Sequence, residues 1–139
     1  EYFARQCTNR YESVRIVTGP LYLPKKCPDG KFRVSYEVIG NPPNIAVPTH
    51  FFKLIVGEKP GTDNSVSVAA FVLPNDVVDN NVPLRQFEVP IEALETSSGR
   101  TFFQNVPENK KKSLCQEVRC EITVRDFSNA NQKLLPAPK

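Results

Sequence analysis

The fold of this chain is decided by three blocks near its centre, IAVPTHFFKLIVGE (residues 45–58), VSVAAFVLPND (66–76) and FEVPIEALETSSG (87–99). The first two blocks are rich in β-branched and apolar residues and are bounded by turn-forming segments, which predicts two strands. Residues 60–64 form a hairpin loop between them, and Pro48 marks a bulge or a strand start. In the third block, Pro90 at the first helical position and Gly99 past the end predict a short helix.

The segments on either side extend this pattern. Residues at helical spacing predict the last turns of an amphipathic helix that ends near residues 9–10: Tyr2, Phe3, Arg5, Cys7 and Tyr11. VRIVTGP (14–20) is predicted to be a buried strand that Gly19 and Pro20 stop. Residues 21–32 form a loop with turn chemistry, and the alternation over residues 32–39 predicts a half-buried strand. Further along, EITVRDF (121–127) is strand-like, and LLPAPK (134–139) is a loose terminus.

Antiparallel strands joined by short hairpins, with helices at the start and after the last hairpin, predict an α+β fold with an antiparallel sheet and flanking helices. Strands with few polar breaks imply that both faces of the sheet are covered. The two predicted helices are too few for that task. We therefore expect a further polypeptide to complete the second layer.

Length and composition agree with a single domain. The 139 residues are 40% apolar and 24% charged, and no apolar run approaches the ~20 residues that a membrane span requires. The net charge of +3 permits a nucleic-acid partner without requiring one. The chain has no methionine, and its opening EYFARQCTNRYE has no feature of a sorting signal. We expect it to be cut from a longer precursor.

The four cysteines allow two disulfides in three pairings, or a zinc site. Zinc is disfavoured because Cys115 and Cys120 are five apart and no second close pair accompanies them. Their nearness in sequence, just before a predicted strand, favours a disulfide that closes a small loop. Cys7 and Cys27 are then left to bond each other or another chain. A disulfide framework indicates an oxidising compartment.

The remaining candidate residues are one histidine and two basic runs. His50 lies inside an apolar strand, where a hydrogen-bonded structural histidine is the favoured interpretation, because a general base needs a second group to orient its ring. Lys25 and Lys26, and the run at residues 110–112, are either phosphate contacts or solvated loops.

Four segments resemble the C-terminal half of endonuclease G-like DNA/RNA non-specific nucleases, the ββα-metal family, in their fungal mitochondrial form: VRIVTGPLYLP (14–24), VPTHFFK (47–53), FVLPN (71–75) and FEVPIEALE (87–95). The resemblance makes residues 1–139 the C-terminal part of a single nuclease domain. Residues 1–106 are family-like, and residues 107–139 resemble a fungal C-terminal extension.

The resemblance implies a metal-dependent endonuclease that cleaves DNA and RNA without sequence preference. Its catalytic histidine, in an Asp-Arg-Gly-His motif, and an asparagine that binds Mg²⁺ or Mn²⁺ belong to an N-terminal polypeptide absent from this sequence. Counted along the family pattern, Glu1 reaches metal-bound water and Arg5 contacts the substrate phosphate. The alternative for these two residues is an ordinary surface ion pair four residues apart on a helix.

Two further expectations follow. The assembled enzyme is expected to take DNA and RNA as partners, with Lys25 and Lys26 touching nucleic acid, and to form a dimer. The alternative function is a non-catalytic module that binds nucleic acid or protein. The disulfide framework favours secretion, with the mitochondrial intermembrane space as the second choice.

Overall fold

The computed structural model describes residues 2–59, 61 and 65–121, excluding the side chain of Tyr2. Three short helices are present in this part of the chain: α1 (Tyr2–Cys7), α2 (Ile91–Ser98) and α3 (Leu114–Glu117). Nine strands are described: β1 (Ser13–Leu21), β2 (Lys25–Lys26), β3 (Phe32–Arg33), β4 (Val38–Ile39), β5 (Ile45–Ala46), β6 (His50–Glu58), β7 (Val66–Pro74), β8 (Glu88–Val89) and β9 (Lys111–Ser113). Single 3₁₀ turns cover Leu84–Phe87 and Glu108–Lys110.

One five-stranded sheet forms the frame of the molecule. Its order is β1-β6-β7-β8, all antiparallel, and β9 adds to β7 in parallel. Strands β6 and β7 pair over their whole length, from His50 opposite Pro74 to Glu58 opposite Val66. This is the hairpin that the sequence predicts, and β6 begins two residues after Pro48.

The sheet buries side chains on both faces, because successive residues of a strand point to opposite sides. On the first face, α1 and α3 pack over Ile55, Ala69 and Phe71. On the second face, α2 packs through the fully buried Leu94 against a cluster that includes Leu54. The expectation of an α+β fold with an antiparallel sheet is confirmed.

Helix α2 has the predicted asymmetry at its ends. Pro90 is the N-cap rather than the first helical residue, so the helix begins one residue later than expected. Gly99 ends the helix with φ of 65°, a left-handed conformation that glycine adopts at low cost. Its N–H and that of Arg100 both donate to the carbonyl of Glu95.

Strand β1 is present, but the prediction that it is buried is wrong. Ile16 is 46% exposed and Val17 is 40% exposed. The reason is its position, because β6 is its only partner among the described strands and β1 lies at the sheet edge. Pro20 is tolerated there, since an edge strand has one side without ladder hydrogen bonds, and β1 continues past it to Leu21.

The half-buried strand predicted for residues 32–39 is not formed. This segment leaves the sheet and pairs only locally, as the small ribbons β2–β3 and β4–β5. Its apolar side chains, among them Phe32, Tyr36 and Ile39, are exposed. Alternation of apolar and polar residues predicts one face suited to burial, but within the described chain no other layer covers that face. Lys25 and Lys26, predicted in a loop, form strand β2.

The basic run at residues 110–112, considered as a phosphate contact or a solvated loop, lies partly in a strand. Lys111 and Lys112 belong to β9, which pairs with Val66 and Ser67 of β7. The Nζ of Lys111 lies 5.5 Å from the centre of the Phe103 ring and is ion-paired with Glu108. The extension therefore packs into the same core as the rest of the sheet. Most of EITVRDF and all of the final segment lie outside the described residues.

The structure contains a disulfide between Cys115 and Cys120, in the first core beside α1. Cys7 and Cys27 are both free, so the intrachain bond considered for them is not formed. The physical reason is their placement: Cys7 is 1% exposed in the core under α1, whereas Cys27 lies at the turn of the β2–β3 ribbon. A bond from either cysteine to another chain stays a prediction.

None of the helices in the described part of the chain is long and apolar enough to cross a membrane.

Candidate functional site

Helix α1 is held against the sheet by one side and exposes Arg5 on the other. Phe3 meets the Phe71 ring edge-on, with ring centres 6.0 Å apart, and Ala4 and Cys7 are buried beside it. Arg5 and Gln6 are exposed. The guanidinium of Arg5 is therefore available to a ligand that approaches α1 from solvent. Glu1, the proposed contact to metal-bound water, lies outside the described residues.

The chain that follows α1 is fixed by a carboxylate in the C-terminal extension. Tyr11 Oη donates to Glu117 Oε2 at 2.7 Å, and Ser67 Oγ donates to the same oxygen at 2.9 Å. Lys59 Nζ lies 2.9 Å from it. These partners, the Tyr11 hydroxyl first, lower the pKa of Glu117 to about 2.

Tyr11 is held as tightly by its surroundings. Burial, together with the hydrogen bond to Glu117, raises the pKa of the Tyr11 hydroxyl to about 12. A Cβ on Gly57 would lie 2.6 Å from the ring, so only glycine lets the ring rest on β6. No sequence pattern indicates this network, because Tyr11 and Glu117 are 106 residues apart.

His50 is hydrogen-bonded, as the sequence predicts. Its Nδ1 is 2.9 Å from Thr49 Oγ1, which also accepts from the Leu23 N–H and donates to the Leu21 carbonyl. Because that hydroxyl proton is used on Leu21, Nδ1 is the donor to Thr49. Burial, and then the nearby Lys25 cation, lower the pKa of His50. The Thr49 hydroxyl, which His50 contacts, thus ties the start of β6 to the end of β1.

Lys25 and Lys26 lie on the exposed ribbon β2–β3. At its turn, Arg33 Nη1 donates to Asp29 Oδ1 at 2.9 Å, and this guanidinium is the main cause of the lowered pKa of Asp29. The structure brings Lys25 near His50. Among the described residues, no hydrogen bond or ion pair joins either lysine to Arg5.

A metal centre needs several ligands, and histidine, cysteine, aspartate and glutamate are the ligand types that the chain offers. Within residues 2–59, 61 and 65–121, no group of three or more histidine, cysteine, aspartate and glutamate residues is placed to hold a metal ion. The described residues therefore do not form a Mg²⁺ or Mn²⁺ site by themselves, and the resemblance assigns most of the ligands to an N-terminal polypeptide.

Beside α1, the first face of the sheet carries an open apolar groove. Its floor and walls are Phe3, Ala4, Phe51, Phe71, Leu73 and Leu84, and Lys53 and Asp76 also line it. Phe51 is 44% exposed. The described chain thus leaves apolar surface uncovered in two places, the edge strand β1 and this groove.

The fold and the exposed cations define a small α+β domain that can offer positive charge to a polyanion. The chain belongs to the DNA/RNA non-specific endonuclease family, whose model matches residues 1–109. The predicted resemblance to the C-terminal half of an endonuclease G-like nuclease is confirmed.

Individual relatives support this assignment. The chain is 62% identical to the mitochondrial nuclease of Saccharomyces cerevisiae over 149 residues, which covers 100% of the chain and 45% of the relative. It is 43% identical to human endonuclease G, mitochondrial, over 106 residues, covering 76% of the chain and 35% of the relative. In the crystal structure of the EndoG/EndoGI complex, the matched chain has a TM-score of 0.74 and 43% identity, covering 81% of this chain and 44% of that one.

The chain thus spans less than half the length of these relatives. The family model ends at residue 109, whereas the S. cerevisiae match covers the whole chain. The segment that carries Glu117 and the disulfide therefore lies beyond the residues that the family model matches and within the span of the S. cerevisiae match.

The expectation of secretion is wrong. The S. cerevisiae nuclease, nuclease 1 of Schizosaccharomyces pombe, which is 54% identical, and human endonuclease G are all named as mitochondrial. A disulfide framework was a weak guide to compartment because disulfides also persist in oxidising spaces inside the cell, and only one disulfide is present among the described residues.

Proposed function

We propose that this chain is the C-terminal part of a mitochondrial, divalent-metal-dependent nuclease that hydrolyses phosphodiester bonds in DNA and RNA without sequence preference. The observation that carries the proposal is α1: the helix is anchored through Phe3, Ala4 and Cys7, and Arg5 stands exposed, in a chain that matches the nuclease family over residues 1–109. A planar, permanently charged guanidinium suits a phosphate ligand.

In this proposal the chain supplies the scaffold and the phosphate contacts. Arg5 neutralises charge on the scissile phosphate, and Glu1, four residues earlier in the sequence, would help to hold the divalent metal through its water. Lys25 and Lys26 hold a more distant part of the nucleic-acid backbone, each adding a salt-sensitive electrostatic contribution to binding.

The catalytic histidine and most ligands of the Mg²⁺ or Mn²⁺ cofactor are assigned to an N-terminal polypeptide that carries Asp-Arg-Gly-His. Two features support docking of such a polypeptide here. The outer edge of β1 has no partner among the described strands and exposes Ile16 and Val17, and the apolar groove beside α1 is open. Unpaired edges and apolar patches of this kind are normally covered in the native protein. A dimer of the assembled enzyme remains part of the proposal.

The role of Arg5 is tested by Arg5→Ala in the full-length protein, with Arg10→Ala as control, because Arg10 is also exposed and lies just beyond α1. We expect Arg5→Ala to weaken nucleic-acid binding and to flatten the salt dependence of log Kd by about one unit, since one phosphate contact is lost. Its melting temperature should stay unchanged, because the side chain is outside the core.

Binding titrations at several salt concentrations and plasmid-cleavage rates measure both effects. Wild-type binding and turnover in Arg5→Ala would contradict the assignment, as would an equal loss in Arg10→Ala.

A further inference from the structure

The β2–β3 hairpin places a cation and an aromatic ring on the same face. Its register sets Lys25 opposite Arg33 and Lys26 opposite Phe32. Residues directly opposite each other in an antiparallel pair share a face, and successive residues alternate between faces. Lys26 and Phe32 are therefore neighbours on one face, and Lys25 and Arg33 occupy the other.

The hairpin orders its own turn. The Cys27 N–H donates to the Lys31 carbonyl at 2.8 Å, and the Gly30 N–H donates to the Cys27 carbonyl at 2.9 Å. Asp29 accepts from the Lys31 N–H at 3.1 Å and from the Arg33 guanidinium. A turn stabilised in this way can hold an exposed side chain in place without help from the sheet.

The charges of the hairpin are unbalanced. Its one carboxylate, Asp29, is ion-paired with Arg33, which lies on the face opposite Phe32. Among the described residues, the side chains of Lys26 and Lys31 have no acidic partner. Phe32 is 68% exposed, more than any other phenylalanine or tyrosine among the exposed hydrophobic residues. The free positive charge thus stands beside an uncovered ring.

A cation next to an exposed ring fits a nucleic-acid strand whose bases are unpaired. The ammonium of Lys26 contacts a phosphate, and the ring of Phe32 stacks on the face of a base. In a duplex the base faces are covered by their neighbours in the stack, so only the phosphate contact remains. Charge complementarity favours this polyanionic occupant over an apolar protein surface, which would leave the lysines unpaired.

We propose that the β2–β3 hairpin is a contact site for single-stranded DNA or RNA, in which Phe32 stacks on a base while Lys26, on the same face, contacts a flanking phosphate. This inference rests on the proposed nuclease function and adds to it a residue that distinguishes single strands from duplexes. It concerns substrate selection and leaves the chemical step unchanged.

The test compares Phe32→Ala with the wild type in the full-length protein, on one oligonucleotide sequence supplied as a single strand and as a duplex. We expect KM for the single strand to rise about tenfold, as loss of one stacked base predicts, and KM for the duplex to stay within about twofold. The kcat on both substrates should be unchanged. Phe32→Trp, which keeps a ring, should restore the KM for the single strand.

Ile45→Ala is the matched control, because Ile45 is also exposed and lies on the neighbouring ribbon. It should leave both KM values unchanged. The inference would be overturned if Phe32→Ala changed KM equally on both substrates or on neither. It would also be overturned if Phe32→Trp did not restore the KM for the single strand. If Phe32→Ala changed the oligomeric state and left KM unchanged, the inference would also be overturned, because the hairpin would then be a protein contact. If the wild type cleaves neither substrate, it is the proposed function that fails.

Discussion

At the scale of single residues, Glu117 ties three distant segments together. One of its carboxylate oxygens accepts from Tyr11 and Ser67 and pairs with Lys59. Hydrogen bonds to a charged acceptor stabilise a fold more than neutral ones do, and removal of the acceptor leaves buried donors unsatisfied. Glu117 therefore fixes the joint between α1 and β1, and through it the helix that carries Arg5.

We expect Glu117→Gln to lower the free energy of unfolding by about 1–3 kcal/mol at neutral pH. The pKa of Glu117 is lowered in the folded state from 4.5 to about 2. The stability it contributes is thus fully present above its ordinary pKa and is lost as the pH falls from there toward 2. The gap between wild type and variant should close over that range.

Urea unfolding of the full-length protein at a series of pH values measures this gap. Glu92→Gln, on the exposed side of α2, is the control and should follow the wild type at every pH. A difference in the free energy of unfolding between the wild type and Glu117→Gln that stays constant down to pH 3 would contradict the account.

The candidate residues also show where sequence reasoning succeeds. The exposure of Arg5 and the hydrogen bond of His50 could be anticipated, because each depends on a local pattern. The partners of Glu117 and the clearance at Gly57 could not, because they bring together segments far apart in the chain. A set of metal ligands could not be predicted from this sequence either, since the described residues contain no ligand cluster.

At the scale of elements, turn residues and helix caps in the sequence predict the long strands and α2, whereas the burial of each element depends on its neighbours in the fold. The β6–β7 hairpin and α2 were predictable because turn residues, Pro90 and Gly99 mark their ends. Strand β1 was predictable as a strand but not as an edge. The strand predicted for residues 32–39 gave way to two local ribbons because no layer within the described residues covers its apolar face. Strand β9 was missed because its parallel pairing with β7 is non-local.

The disulfide should act mainly on the elements of the first core. Cys115 lies in α3 and Cys120 follows it, and both pack in the same cluster as Phe3, Ala4 and Cys7. We expect replacement of both disulfide cysteines by alanine to lower the free energy of unfolding by roughly 2–3 kcal/mol, because the closed loop no longer restricts the unfolded chain.

Unfolding with and without reductant tests this expectation. Reductant should destabilise the wild type by a similar amount and have no effect on the double variant. Cys27→Ala should keep the destabilisation by reductant that the wild type shows, because Cys27 takes no part in the Cys115–Cys120 disulfide. An equal response of the double variant to reductant would show that another bond or group is involved.

At the scale of the whole molecule, the chain is a sheet with helices on both faces that leaves part of its apolar surface uncovered. It spans 45% of the S. cerevisiae nuclease, and its sheet carries an exposed edge strand and an open apolar groove. A partial core with uncovered apolar surface favours aggregation and local unfolding over a stable monomer. We expect the isolated chain to fold poorly and the N-terminal polypeptide to complete both the core and the active site.

The most direct test of the central claim is plasmid cleavage with Mg²⁺ or Mn²⁺ by residues 1–139 alone, then after refolding with the N-terminal polypeptide, beside the full-length protein. The account predicts no cleavage by residues 1–139, and cleavage of both DNA and RNA once the N-terminal polypeptide is present, because the general base and most metal ligands are supplied there. Cleavage by residues 1–139 alone at the rate of the full-length protein would contradict it.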